Sequence, residues 1–217
     1  MHINTDKKAV FYHVMKTGGT SLHLMLESPG ELLGRLPKKE ECWNIIMGMH
    51  GSYSVLKNKH PKEFEMVKDY YKFMFVRNPW SHAVSLYFHT TSPERFDKEV
   101  KMGSNGRRAT DDDFKDFKYY LKYLYKPQEE STFDDPNFMN DEAYFFEDYK
   151  NEVLRLFKRF DYSDNKFKSE VIHKNKSSVN IFGFEYPRKY KVMYDQEGID
   201  IVADKSKRYI DKFNYQF

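Results

Sequence analysis

The sequence predicts an α/β fold, a central parallel β-sheet flanked by helices, in one domain spanning residues 1–217. Three observations predict it. Two apolar runs, Ala9–Met15 and Phe73–Val76, are each followed by a turn and then by a helix-like segment. Strand, turn and helix repeated in that order is the pattern of parallel sheets with crossing helices, which bind ligands at the carboxyl ends of their strands. Phe73-Met74-Phe75-Val76 is continuously apolar rather than alternating, as expected for a strand covered on both faces. Finally, 217 residues at 40% hydrophobic and 32% charged composition suit one folded domain with a sizeable core.

The elements follow in order. The first strand is read at 8–15 and its helix near 20–28, after which Gly30 and Pro37 bound a loop. Trp43 to Met47 reads as a second strand that ends in Gly48-Met49-His50-Gly51. A helix is expected near 61–69, opened by Pro61, because a first-turn proline loses no hydrogen bond. The third strand is 71–76, and its helix starts at Pro79 and runs to 90. Residues 101–113, with Gly103, Gly106 and Asp111-Asp112-Asp113, read as a surface loop, and 126–141 as another. Between them Phe114 to Tyr125 is helix-like. Tyr144-Phe145-Phe146 reads as a short strand, and Val153, Leu156, Phe157 and Phe160 have helical spacing. The tail from Tyr209 to Tyr215 reads as an amphipathic packing helix.

Composition narrows the function. Thirty-six basic residues against 33 acidic ones leave a net charge of +3, too balanced for a nucleic-acid-binding surface but compatible with a local pocket for an anion. The single cysteine, Cys42, permits no intrachain disulfide and no cysteine-based zinc site. The histidines form no H-E-x-x-H pattern, so no metal site is expected. No stretch is long and apolar enough to span a membrane, and the first eight residues lack a signal-peptide core, so a cytoplasmic protein is expected.

The chemistry concentrates in Lys16-Thr17-Gly18-Gly19-Thr20-Ser21, between the first strand and the first helix. A glycine turn in that place aims backbone N–H groups and the positive end of a helix dipole at one point, which suits a phosphate or sulfate. Lys16 adds a full charge. The hexamer is not a Walker A loop, in which lysine follows the glycines. Taken alone, it also reads as a plain turn capped by Thr20 or Ser21. A second strand–turn–helix unit, Val76-Arg77-Asn78-Pro79 followed by Ser85-Leu86-Tyr87, puts an arginine at a strand's carboxyl end. Its planar fork matches phosphate oxygens.

K-T-G-G-T-S followed by V-R-N-P-x-x-x-x-x-S-L-Y resembles the paired signatures of sulfotransferases that use 3′-phosphoadenosine 5′-phosphosulfate (PAPS), whose product is 3′-phosphoadenosine 5′-phosphate (PAP). The similarity is nearest to the Golgi carbohydrate sulfotransferases of the heparan sulfate 2-O type. It implies a P-loop-like domain in which Lys16, Thr17, Gly18, Gly19, Thr20 and Ser21 cradle the 5′-phosphosulfate and Arg77 and Ser85 hold the 3′-phosphate. It also implies that Lys16 stabilises the leaving phosphate and that no metal is required. A late segment, Ile172 to Ser178, resembles a loop that closes over the nucleotide in these enzymes. That would bring Lys174, Lys176 and Ser177 to the donor; the same segment also reads as a solvated basic loop. The Golgi relatives carry an anchor and stem ahead of this loop; with the loop beginning within the first twenty residues, a protein without them is expected here, or a chain trimmed at its N-terminus.

His50 is the expected general base, because it follows the second strand and imidazole titrates near neutrality. His13, inside the first strand, is a weaker rival and reads better as a core residue. The expected acceptor is a carbohydrate hydroxyl, read by the loops at 91–113 and 126–141 on a fixed scaffold. Tyrosine or small-molecule sulfation on the same scaffold, and a non-catalytic nucleotide-binding protein, are the alternatives. A P-loop kinase lacks both the Walker lysine and a clear Mg²⁺-binding aspartate.

Overall fold

The computed structural model of the chain describes residues 1–27, 43–45, 53–90, 116–128, 141–162 and 190–217. These fall into two compact units. One is built from 1–77 and 131–176, the other from 78–130 and 177–217.

The first unit holds a five-stranded sheet. Its strands are β1 (His2–Asn4), β2 (Ala9–Tyr12), β3 (Asn44–Ile45), β4 (Tyr71–Val76) and β5 (Glu142–Phe145), in the spatial order β3-β1-β2-β4-β5. β2 pairs with β4 in parallel, Ala9 opposite Tyr71 and Tyr12 opposite Met74, and β4 pairs with β5 in parallel. This is the α/β core the sequence predicts. Its other side is antiparallel, because β1 folds back on β2 through the turn Thr5–Lys8 and β3 adds to β1. Asn4 Oδ1 accepts from the Lys7 amide at 2.7 Å, and Lys8 takes a left-handed φ of 47° to close that turn.

The helices of this unit are α1 (Gly19–Glu27), α2 (Tyr53–Lys59), α3 (Pro61–Val67) and α6 (Tyr149–Arg159). Ala9, Phe11, Phe73, Phe75 and Tyr144 alternate onto one sheet face and pack in one core with Leu22, Met25 and Leu26 of α1 and Val153, Leu156 and Phe157 of α6. On the opposite face Ile3, Val10, Met74 and Val76 are buried as well. Burial on both faces is why the strands lack polar alternation.

The second unit is helical: α4 (Pro79–Thr90), α5 (Phe117–Tyr123), α7 (Gln196–Lys205) and α8 (Lys207–Phe213). Each of the first three has a side-chain cap. Asn78 Oδ1 accepts from the amides of Trp80 and Ser81, Asp116 Oδ1 from Lys118 and Tyr119, and Asp195 Oδ1 from Gly198. Their core is aromatic, with Trp80, Tyr87, Tyr120 and Tyr125 around Val202. The helices expected at 79–90 and in the tail are present. The helix-like stretch 114–125 contracts to Phe117–Tyr123 among the described residues.

Candidate active site

The chain leaves β2 at Tyr12 and turns through Met15–Gly18 into α1. Two residues of this turn are left-handed, Lys16 at φ 62° and Gly18 at φ 83°. Such a conformation is free for glycine and strained for lysine. Thr17 is fully buried and its hydroxyl donates to the Val14 carbonyl at 2.8 Å, so it pins the turn from inside. The first bond of α1 runs from the Leu22 amide to the Gly18 carbonyl. The amides of Gly19, Thr20 and Ser21 therefore stand at the positive end of the helix. Ser21 is buried and Thr20 exposed.

Both glycines have a packing reason that the sequence did not disclose. A Cβ on Gly18 would lie 2.6 Å from Tyr149 Cε2 and 3.1 Å from the Phe146 ring. A Cβ on Gly19 would lie 1.9 Å from His13 Cδ2. Three rings thus press on the loop from below. Tyr149 also donates its hydroxyl to the Gly18 carbonyl at 2.9 Å. Burial pushes that phenol well above its ordinary range, so it remains a donor at neutral pH.

Arg77 follows β4 directly and is buried. Its Nη1 donates to the Lys16 carbonyl at 2.9 Å, and its guanidinium lies 4.3 Å from the centre of the Phe146 ring. The two sequence motifs, 61 residues apart, therefore meet at the carboxyl edge of the parallel strands. A helix N-terminus beside an arginine, with a lysine in the same turn, is chemistry that suits a strong anion.

Ser85 is buried within α4, in the helical unit. His50, Lys174, Lys176 and Ser177 lie outside the described residues, as does nearly all of the loops at 91–113 and 126–141. The strand before His50 is described. β3 is antiparallel to β1 and β1 to β2, so β3 runs in the same direction as β2 and β4. Its carboxyl end therefore points to the edge where Lys16 and Arg77 meet.

Phe146 and Tyr149 are the residues that sequence reasoning did not bring to this site; His13, the weaker rival for the base, is buried against Gly19 as a core residue. No spacing rule marks Phe146 and Tyr149, because they touch the loop from a distant part of the chain, Tyr149 lying 131 residues beyond Gly18. Among the described residues, no group of three or more His, Cys, Asp or Glu side chains is placed to hold a metal ion. No described helix is long and apolar enough to cross a membrane.

A protein-family model described as the sulfotransferase family matches residues 1–146, a span that takes in both motifs. No curated protein and no solved structure matches the chain.

Proposed function

This chain belongs to the sulfotransferase family, and from that premise we propose that it moves a sulfuryl group from PAPS to an acceptor hydroxyl on a carbohydrate. One observation supports the donor most directly: Arg77 and Lys16 meet at the head of α1. A nucleotide with phosphate at both ends of its ribose needs two anion contacts, and this corner supplies a helix N-terminus and two cations.

The residues divide the work as follows. The amides of Gly18, Gly19, Thr20 and Ser21 face the 5′-phosphosulfate, and Thr17 contributes through its main chain, since its hydroxyl is engaged with Val14. Arg77 and, by the sequence motif, Ser85 are assigned to the 3′-phosphate. Lys174, Lys176 and Ser177 are assigned to the closing loop on the resemblance of their segment. The acceptor oxygen attacks sulfur in line with the bond to the 5′-phosphate oxygen. The new S–O bond forms as that bond breaks, and PAP leaves with the electron pair. Lys16 Nζ stabilises the charge that grows on the leaving oxygen. His50, five residues beyond β3 (50 − 45), takes the acceptor proton. No step uses a metal. The whole of 1–217 is taken as one sulfotransferase domain, placed in the cytoplasm.

The test is calorimetric titration with PAP, with ADP and ATP–Mg²⁺ as controls. PAP should bind without metal and at least tenfold more tightly than ADP, as about 1.4 kcal/mol from one well-placed charged contact would give. Tighter binding of ATP–Mg²⁺ would remove PAPS as the donor.

A further inference from the structure

Three of the eight histidines lie together beneath the donor loop, and the mechanism above uses none of them. His2 on β1 is fully buried, His13 just after β2 is 3% exposed and His23 in α1 is 8% exposed. His2 Nε2 and His23 Nδ1 are 2.7 Å apart, a hydrogen bond between two imidazoles. The His2 and His13 rings are 5.8 Å apart, and Phe11 stacks on both. His13 presses on Gly19, the first residue of α1, and His23 sits one turn into the same helix. Both ends of the cluster therefore touch the helix whose N-terminus faces the proposed anion.

We propose that the His2–His13–His23 cluster is a positioning element for the donor loop and takes up a proton when the anionic donor binds. The proposal rests on the assignment of the loop to PAPS. Its physical basis is charge. The Met1 α-amino group beside His2 is held down to about 5 by burial and is neutral near neutral pH, and Lys16 and Arg77 stand at the loop. Lys16, Arg77 and the positive end of α1 set a positive field at the head of the helix that His13 and His23 touch. A bound phosphosulfate reverses that field. The His2–His23 bond needs one donor and one acceptor, so this pair holds no more than one added proton without breaking. Binding that favours the protonated cluster must weaken as pH rises through the range in which imidazoles titrate.

The experiment is calorimetric titration of the full chain with PAP near neutral pH, in buffers of different ionisation enthalpy, which counts protons exchanged. PAP's own phosphates exchange protons too, so the reading is the difference between wild type and two variants, His23→Asn and His2→Asn. Wild type should take up on the order of half a proton more per PAP than either variant. Thermal melts confirm that each variant folds, and histidine ring NMR of wild type with and without PAP needs no variant at all. A shift of one of the three buried rings toward imidazolium on binding supports the proposal. Tight PAP binding with equal proton counts and unmoved ring signals overturns it and leaves the donor assignment standing. Failure of PAP to bind wild type overturns both.

Discussion

Lys16 sits in a left-handed backbone conformation that costs a non-glycine residue about 1 kcal/mol. The chain keeps a lysine there, and its carbonyl is held by Arg77. Position 16 thus separates two properties, the strain of its backbone and the charge of its side chain. Lys16→Ala and Lys16→Gly should both lose sulfuryl transfer by a hundredfold or more, as for loss of a transition-state contact. In urea denaturation the glycine variant should be the more stable of the two, by about 1 kcal/mol. Equal stability would mean that the turn relaxes out of the left-handed region, and retained transfer in either variant would remove Lys16 from the reaction. The lysine and the arginine were legible in the sequence because each follows an apolar strand and precedes a helix. The reason for the glycines was only half legible. Their neighbours Phe146 and Tyr149 are remote in the chain, and a pattern read along the sequence does not record which rings return to touch a loop.

Helix starts carry the clearest local signals in this chain. α4 has Pro79 at its first position and Asn78 as its cap. Asn78 has a second task, since its Nδ2 donates to the Gln216 carbonyl at 2.8 Å and so ties the C-terminal tail to the head of the helix. Asn78→Ala should cost about 2 kcal/mol of stability, and Asn78→Asp, which keeps the cap oxygen and loses only the donor, about half of that. Equilibrium denaturation of the pair checks it, and equal losses would show that the cap contributes nothing. The strands at β2 and β4 were readable because both are apolar and β-prone. β1 was not, because three residues with two of them polar, His2-Ile3-Asn4, carry no period, and only pairing with β2 makes them a strand. α7 escaped for another reason. Gly198 in its first turn weakens the helical propensity that the Asp195 cap restores in the folded chain.

Across the whole molecule, the span matched by the family and the span needed for folding differ. The match ends at residue 146, while Val153, Leu156, Phe157 and Phe160 of the following segment are buried in the sheet's core. A fragment of residues 1–146 should therefore show no cooperative thermal transition, since it lacks four large core side chains worth about 2 kcal/mol each in burial. A sharp melt would mean that the sheet is stable without α6. The order in which the chain is made adds a consequence for the ribosome. Gly18 emerges early, yet the hydroxyl that secures its carbonyl belongs to Tyr149, 131 residues later. Until that tyrosine clears the exit tunnel, the nascent protein carries the lysine, glycines and arginine of the proposed donor site without the Tyr149 hydrogen bond to Gly18. The shape of the loop proposed to hold the nucleotide is then completed late in synthesis, when Tyr149 reaches the Gly18 carbonyl.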